Sequence, residues 1–199
     1  MDFTKKINNY SNLLKNTLDA LDRKEINNFL DVVLKAYSNS KSIYIFGNGG
    51  SASTASHIAC DYNKGISYGF DKRFKAVSLA DNIATITAYA NDVSYNDIYA
   101  EQLRNFLTPG DIVIGISGSG NSKNIIKAIS YANSQGNITI GMTGYNGGEL
   151  KKISKYSINT NINDMELSED MHLILCHMTK KIIIEYLNNQ KYGQQSSVF

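Results

Sequence analysis

The 199-residue sequence has little that would direct the protein to a membrane, an oxidising compartment or nucleic acid. Its N-terminus lacks the apolar core of a signal peptide, and no run approaches the roughly 18 apolar residues that span a bilayer. The two cysteines, Cys60 and Cys176, match no metal-ligand spacing, so we expect small buried residues and no disulfide. A formal net charge of +2 is too small to indicate a nucleic-acid-binding surface. These absences favour a cytoplasmic protein with neither nucleic acid nor a membrane as its partner.

Proline is also scarce, and no stretch has the composition of a linker between domains. The single proline, Pro109, precedes an apolar stretch, and the sequence has no internal repeat or low-complexity block. A chain of this length is most simply one domain. We therefore expect a single domain with N-terminal oligomerisation helices over residues 1–38, an α/β core over residues 42–188 and a polar tail over residues 189–199.

The hydrophobic pattern predicts the fold class. Apolar residues recur every three or four positions over residues 3–21 and 26–37, which predicts two amphipathic helices. Five short apolar stretches then alternate with helical segments. Because strands that are apolar throughout are typical of a parallel sheet covered on both faces, we expect a three-layer α/β/α sandwich with a five-stranded, doubly wound parallel sheet. Ser51 and Asp81 are the expected caps of the two helices that follow the first two strands, and a last helix is expected over about residues 166–187.

Two predicted strands end in turns suited to a phosphate group. Residues 47–51 read GNGGS, where glycines let the backbone approach a ligand and Ser51 adds a hydroxyl. Residues 117–122 read SGSGNS, with three hydroxyls and two glycines. In open α/β sheets, ligands bind beyond the carboxyl ends of the strands, where helix N-termini present N–H groups. The two turns together indicate a site for a monophosphate.

The first turn admits other interpretations. Gly47, Gly49 and Ala52 match the dinucleotide fingerprint G-x-G-x-x-G/A of nicotinamide and flavin enzymes. That fingerprint expects an acidic residue about 20 positions later, whereas Asp81 follows about 30 positions on and is better explained as a helix cap. Both turns are also compatible with plain tight connections between strand and helix. A monophosphate site, unlike these alternatives, accounts for both turns at once.

All three histidines lie in two predicted helices, together with acidic residues. His57 and Asp61 are one turn apart on the helix that begins at the first turn, so they share a face. Glu169 and His177 are separated by about 12 Å of rise on the last helix. Two imidazoles and two carboxylates suit zinc, or an acid–base pair that acts on a sugar. The ordinary alternatives are acidic residues that stabilise a helix N-terminus and histidines that belong to the core.

Four motifs occur in the order, and at nearly the spacing, that is typical of one protein family. They are FGNGGSASTASHIACDYNKG at residues 46–65, AND at 90–92, GISGSGNS at 115–122 and EDMHLILCH at 169–177. Over roughly residues 5–188 the sequence resembles the phosphoheptose isomerases of the sugar isomerase (SIS) domain superfamily. The resemblance implies a homotetramer whose N-terminal helices help to build the interface. It also implies an aldose–ketose isomerase that converts sedoheptulose 7-phosphate to D-glycero-D-manno-heptose 7-phosphate through an enediol.

The resemblance further implies roles for individual residues. Substrate would be bound by Asn48, Gly49, Gly50, Ser51, Asn91, Asp92, Ser117, Gly118, Ser119, Ser122 and Glu169. One zinc ion per subunit would be held by His57, Asp61, Glu169 and His177. Asp61 is the expected base, and His177 is its expected acid–base partner.

The sequence departs from the family pattern at three of these positions. Asp61 stands where the best-known members have glutamate, Glu169 where they have glutamine, and Gly118 where they have the threonine of a serine–threonine–serine turn. The sugar-phosphate class is therefore better supported than the named heptose, and an isomerase of a different sugar phosphate is one alternative. A second is the non-catalytic SIS adaptor that binds a replication initiator, which the acid–base set disfavours. A third, a SIS regulator, would carry a DNA-binding segment, and the N-terminal helices lack basic clustering.

Overall fold

The computed structural model describes residues 1–193 and shows one parallel sheet of five strands. The strands are β1 (Ser42–Gly47), β2 (Lys75–Ser78), β3 (Ile112–Ser117), β4 (Ile138–Thr143) and β5 (Tyr156–Asn159). Their order across the sheet is β2-β1-β3-β4-β5, and every neighbouring pair is parallel. This arrangement confirms the predicted fold class, including the number and direction of the strands.

Eight α-helices lie within the described residues. They are α1 (Thr4–Ala20), α2 (Arg23–Ser38), α3 (Gly50–Cys60), α4 (Ile83–Asp92), α5 (Ile98–Phe106), α6 (Lys123–Ser134), α7 (Gly148–Ile153) and α8 (Met165–Gly193). A π-helical segment, Asp61–Ile66, continues α3, and a 3₁₀ turn, Tyr95–Asp97, precedes α5. The first two helices agree with the amphipathic pattern, whereas α5 was not predicted. Helix α8 extends into the predicted polar tail, and residues 194–199 of that tail lie outside the described residues.

Buried apolar side chains cover both faces of the sheet. On one face, α2, α3 and α8 contribute Phe29, Ile58 and Leu175 to a cluster that includes Ile114 of β3. On the other face, α5, α6 and α7 pack against Tyr44, Phe46 and Val113. All six residues of β3 are buried, in keeping with a strand that is apolar up to its last residue, Ser117. The edge strand β2 instead alternates exposed and buried positions.

The sheet has a topological switch point between β1 and β3. The helix after β1, α3, packs on one face, and the helix after β3, α6, packs on the other. Gly47 pairs with Ile116, so the turns that follow the two strands emerge side by side. Open α/β sheets bind ligands at such a point, beyond the carboxyl ends of the strands. The fold therefore places both predicted phosphate turns at one crevice.

Both predicted helix caps were wrong. Helix α3 is capped by Gly49, whose φ of 55° and ψ of −123° allow the sharp bend after β1, and Ser51 lies inside the first turn. Helix α4 is capped by Asn82, whose side chain accepts a hydrogen bond from the Thr85 N–H at 3.1 Å. The carboxylate of Asp81 instead accepts a hydrogen bond from the Ser56 hydroxyl.

Both cysteines have free thiols, but only one is buried. Cys176 lies in the core, where burial raises the pKa of its thiol, whereas Cys60 is exposed on the last turn of α3. The expectation that Cys60 is buried was therefore wrong. Among residues 1–193, no helix combines the length and the apolarity that a bilayer span requires.

Candidate active site

A cleft of about 310 Å³ opens where β1 and β3 end. It is lined by both predicted phosphate turns and by the start of α8: Asn48, Gly49, Gly50, Ser51, Ile116, Ser117, Gly118, Ser119, Ser122, Met165 and Glu169. Every predicted substrate residue except Asn91 and Asp92 thus lies around one opening. The lining combines hydroxyls, main-chain groups and a single carboxylate, a mixture suited to a small polar ligand.

The serine turn presents hydroxyl groups at the start of α6. Ser117 donates a hydrogen bond from its hydroxyl to the Ser122 hydroxyl at 3.1 Å, and Ser119 Oγ accepts the Asn121 N–H at 3.2 Å. Ser122 is the N-cap residue of α6, yet its side chain makes no capping hydrogen bond. Its hydroxyl is therefore available to a ligand. The positive end of the α6 dipole lies at the same turn, which favours an anion there.

The serine turn is held rigidly against the loop that follows β4. Gly118 and Gly120 use their carbonyl oxygens to accept the N–H groups of Gly144 and Leu150 at 2.8 and 2.9 Å. Gly120 has a φ of 67°, and a Cβ atom there would lie 2.0 Å from the Gly147 carbonyl oxygen. A glycine is required at this position on both counts. The turn is thus preorganised before any ligand arrives.

The glycine turn is fixed by the Asn48 side chain. Its amide exchanges hydrogen bonds with the Asn124 amide at 2.8 and 3.0 Å, and its oxygen accepts the Tyr95 hydroxyl at 3.1 Å. On the opposite side, a Cβ atom at Gly50 would lie 2.2 Å from Glu169 Oε2. The absence of a side chain at Gly50 therefore lets the Glu169 carboxylate lie against the start of α3, where the helix dipole favours a negative charge.

Farther along α3, three predicted residues form a compact cluster. Nε2 of His57 and Nε2 of His177 are 2.8 Å apart, and Asp61 Oδ2 lies 3.3 Å from the first and 4.0 Å from the second. With neutral rings, the short distance between the nitrogens requires one imidazole to donate and the other to accept. The side chains of His57 and His177 are 43% and 51% exposed, so solvent and ligands reach the imidazoles.

Asp61 supplies the buried end of this cluster. It begins the π-helical segment after α3, a type of helix that is often found at functional sites. Its side chain is 10% exposed, and Oδ1 accepts a hydrogen bond from Lys180 Nζ at 2.5 Å. Its other oxygen, Oδ2, has no hydrogen-bond partner among the described residues. A buried, unpartnered carboxylate oxygen beside two imidazoles is arranged to accept a proton or a cation.

Comparison with known proteins identifies the family. Residues 7–144 match the family model of the SIS domain. The chain is 36% identical over 165 residues to a probable phosphoheptose isomerase of Thermoplasma acidophilum, covering 83% of this chain and 90% of the relative. The chain belongs to the phosphoheptose isomerase family. A phosphoheptose isomerase of Crocosphaera subtropica is 38% identical over 148 residues, covering 74% of this chain and 75% of the relative.

Solved structures of phosphoheptose isomerases share this fold. The structure of such an enzyme from Neisseria gonorrhoeae superimposes with a TM-score of 0.84, covering 92% of this chain and 98% of the other. At 24% sequence identity, this match supports the common architecture. The fold of this chain is therefore shared with a solved phosphoheptose isomerase.

The structure brings together three of the four residues predicted to bind metal. Donor atoms of His57, Asp61 and His177 all lie within 4.8 Å of one another, and the set suits a divalent cation. Glu169 is not part of this group, because it lies two helical turns before His177, at the cleft beside Gly50. The unpartnered Oδ2 of Asp61 fits a bound cation.

Two predicted substrate residues lie away from the cleft of the described chain. Asn91 and Asp92 are exposed at the end of α4, where the Asn91 amide donates a hydrogen bond to the Asp92 carboxylate at 2.8 Å. His172, the histidine that was not assigned to the site, is fully buried in α8. Burial lowers the pKa of His172 to about 4, so the ring is neutral in the core.

The structure adds residues that sequence reasoning did not single out. Lys180 contacts Asp61, Asn124 and Tyr95 hold Asn48, and Met165 lines the cleft. Lys180 follows His177 by three positions, so helical spacing already placed the two on one face of α8. The contacts of Asn124 and Tyr95 join distant segments, and no local pattern indicates them.

Proposed function

We propose that this protein isomerises sedoheptulose 7-phosphate to D-glycero-D-manno-heptose 7-phosphate, a heptose precursor for glycan biosynthesis. Its membership of the phosphoheptose isomerase family supports the substrate. The observation that supports the proposed chemistry is that α3 connects the phosphate cleft to the cluster of His57, Asp61 and His177. Its N-terminus lines the cleft with the serine turn, and His57 and Asp61 follow along the same helix and its π-helical continuation.

The phosphate is bound by hydroxyls and helix N-termini. Ser51, Ser117, Ser119 and Ser122 surround the cleft, and α3 and α6 both begin there. Neither turn contains arginine or lysine, although Lys123 follows the second. Hydrogen bonds to the ionised phosphate are charge-assisted, which makes them about twice as strong as neutral ones. The phosphate thus anchors one end of the sugar.

The isomerisation moves one proton between carbons and one between oxygens. Asp61 Oδ2 takes a proton from C1 of the ketose, and the C1–C2 enediol forms as the C2 oxygen gains a proton. Asp61 then returns the proton to C2, while the C1 hydroxyl loses its proton to give the aldehyde. His177 exchanges the protons of the two oxygens, since its imidazole both donates and accepts. His57 lies beside His177, with 2.8 Å between their Nε2 atoms, and limits how far the His177 ring can turn.

His57, Asp61 and His177 would hold the metal, and zinc is the ion we propose for this set. A bound zinc ion supplies Lewis-acid polarisation of the sugar carbonyl. Three protein ligands match the usual arrangement of a catalytic zinc site, which keeps one position for substrate or water. Glu169 is proposed as a substrate residue, in keeping with its place at the cleft.

We propose a homotetramer in which α1 and α2 contribute to the interface. Ile7, Tyr10 and Leu13 are exposed along α1, as is Phe3 just before it, although helices of this kind usually bury such residues. The described chain leaves this apolar stripe open to a second copy. We place the enzyme in the cytoplasm, with a single domain spanning residues 1–199.

Direct assay tests the proposed function. Purified protein is incubated with sedoheptulose 7-phosphate, and aldose formation is followed by NMR beside C5 and C6 ketose phosphates. We expect turnover of the C7 substrate at the highest kcat/KM. Preference for a shorter ketose phosphate would make the protein an isomerase of a different sugar. The absence of turnover with every substrate, with zinc restored, would favour the non-catalytic adaptor.

A further inference from the structure

Asp61 is held from both sides by α8. Lys180 Nζ lies 2.5 Å from Asp61 Oδ1, while His177 Nε2 lies 4.0 Å from Oδ2. His177 and Lys180 are three positions apart and therefore project from one face of α8. Each oxygen of the carboxylate thus has its own neighbour from the same helix.

We propose that Lys180 is a positioning residue for Asp61. Its ammonium group holds Oδ1, so that Oδ2 alone is directed at His57 and His177. The side chains of Lys180 and Asp61 are 27% and 10% exposed, which shields their charge-assisted hydrogen bond from much of the solvent. This inference rests on the proposed function only for its effect on turnover.

Gly65 makes room for the lysine. A Cβ atom at this position would lie 2.7 Å from Lys180 Cε, 2.9 Å from Nζ and 3.3 Å from Asp61 Oδ1. The φ of Gly65 is not in the left-handed region, so its backbone conformation does not require glycine. Space for the ammonium group is therefore what the missing side chain provides. A methyl group there would displace Lys180 while leaving its charge in the protein.

The contact limits how Asp61 can bind a cation. With Oδ1 occupied, the carboxylate offers one oxygen, and the neighbouring ammonium repels any cation at Oδ2. Lys180 therefore weakens metal binding, yet it keeps Oδ2 where the reaction needs it. Loss of Lys180 should strengthen cation binding and reduce turnover, two effects of opposite sign. If Lys180 only supported the fold, its loss would weaken both cation binding and turnover.

Three variants separate these effects. Lys180→Met removes the charge and keeps most of the volume, Gly65→Ala displaces the ammonium group, and Lys181→Met is the control at an exposed neighbouring position. Zinc affinity is measured on metal-free protein by competition with a chromophoric chelator, after thermal unfolding has shown each variant to be folded. Steady-state kcat and KM are then measured with sedoheptulose 7-phosphate.

For Lys180→Met we expect zinc affinity about tenfold higher, kcat at least about tenfold lower and KM changed by less than about threefold. Gly65→Ala should raise zinc affinity and lower kcat by smaller factors. Lys181→Met should change neither zinc affinity nor kcat by more than about twofold. Unchanged or weaker zinc affinity in both Lys180→Met and Gly65→Ala would overturn the proposal. If the wild-type protein does not turn over the substrate, the proposed function fails, and the affinities alone decide the role of Lys180.

Discussion

Replacing Ser122 by alanine tests the phosphate site with little effect on the fold. Ser122 makes no capping hydrogen bond, and its recorded side-chain contact is the 3.1 Å bond from Ser117. Loss of one neutral hydrogen bond costs about 1 kcal/mol of unfolding free energy. Loss of a charge-assisted bond to phosphate costs about 1.5–3 kcal/mol of binding free energy, which corresponds to roughly a 10- to 150-fold rise in KM.

Asp22→Ala is the matched control for this experiment. The Asp22 side chain caps α2 by accepting the Lys24 N–H at 2.7 Å, so its loss also costs about 1 kcal/mol of stability. Urea unfolding should therefore show similar losses for both variants. Steady-state kinetics should show a raised KM for Ser122→Ala alone. An unchanged KM in Ser122→Ala would place the phosphate elsewhere and refute the assignment of the serine turn.

Three further predictions concern other parts of the protein. His177→Asn should lower kcat by about 100- to 10,000-fold with a small change in KM, as steady-state kinetics will show. Gly50→Ala should displace the Glu169 carboxylate and lower kcat/KM, while the melting temperature stays nearly constant because the flexible end of Glu169 can move. For His172, burial lowers the pKa from 6.5 to about 4, so the unfolded state binds the extra proton between these values and stability falls as pH falls. The free energy of unfolding, measured with urea, should fall by about 2 kcal/mol from pH 7 to pH 5. In His172→Leu this pH-dependent fall should be absent.

The sequence allowed the sheet and most of the cleft to be predicted because their signals are local. Each strand is a short apolar stretch, and the glycine and serine turns directly follow β1 and β3. Parallel strands end at one edge of the sheet, so two turns read from separate motifs were expected to meet. The contact between His57 and Asp61 likewise follows from their spacing on one helix.

Contacts between distant segments set the limit of prediction. The spacing of Glu169 and His177 did not show which of them would reach His57, because that depends on how α8 lies across α3. The N-cap of α3 is Gly49 and not the predicted Ser51, because the bend after β1 requires a backbone conformation that only glycine adopts readily. The ion pair between Lys180 and Asp61 joins residues 119 positions apart, and no local pattern in the sequence indicates it.

The most direct test of the account follows sedoheptulose 7-phosphate by proton NMR in D₂O with the metal-loaded protein. Proton transfer through an enediol, at a site whose histidines are exposed to solvent, predicts the appearance of D-glycero-D-manno-heptose 7-phosphate with deuterium at C2. Asp61→Asn should abolish both signals. Sedoheptulose 7-phosphate that stays unchanged with the wild-type protein, with neither aldose nor deuterium detected, would contradict the account.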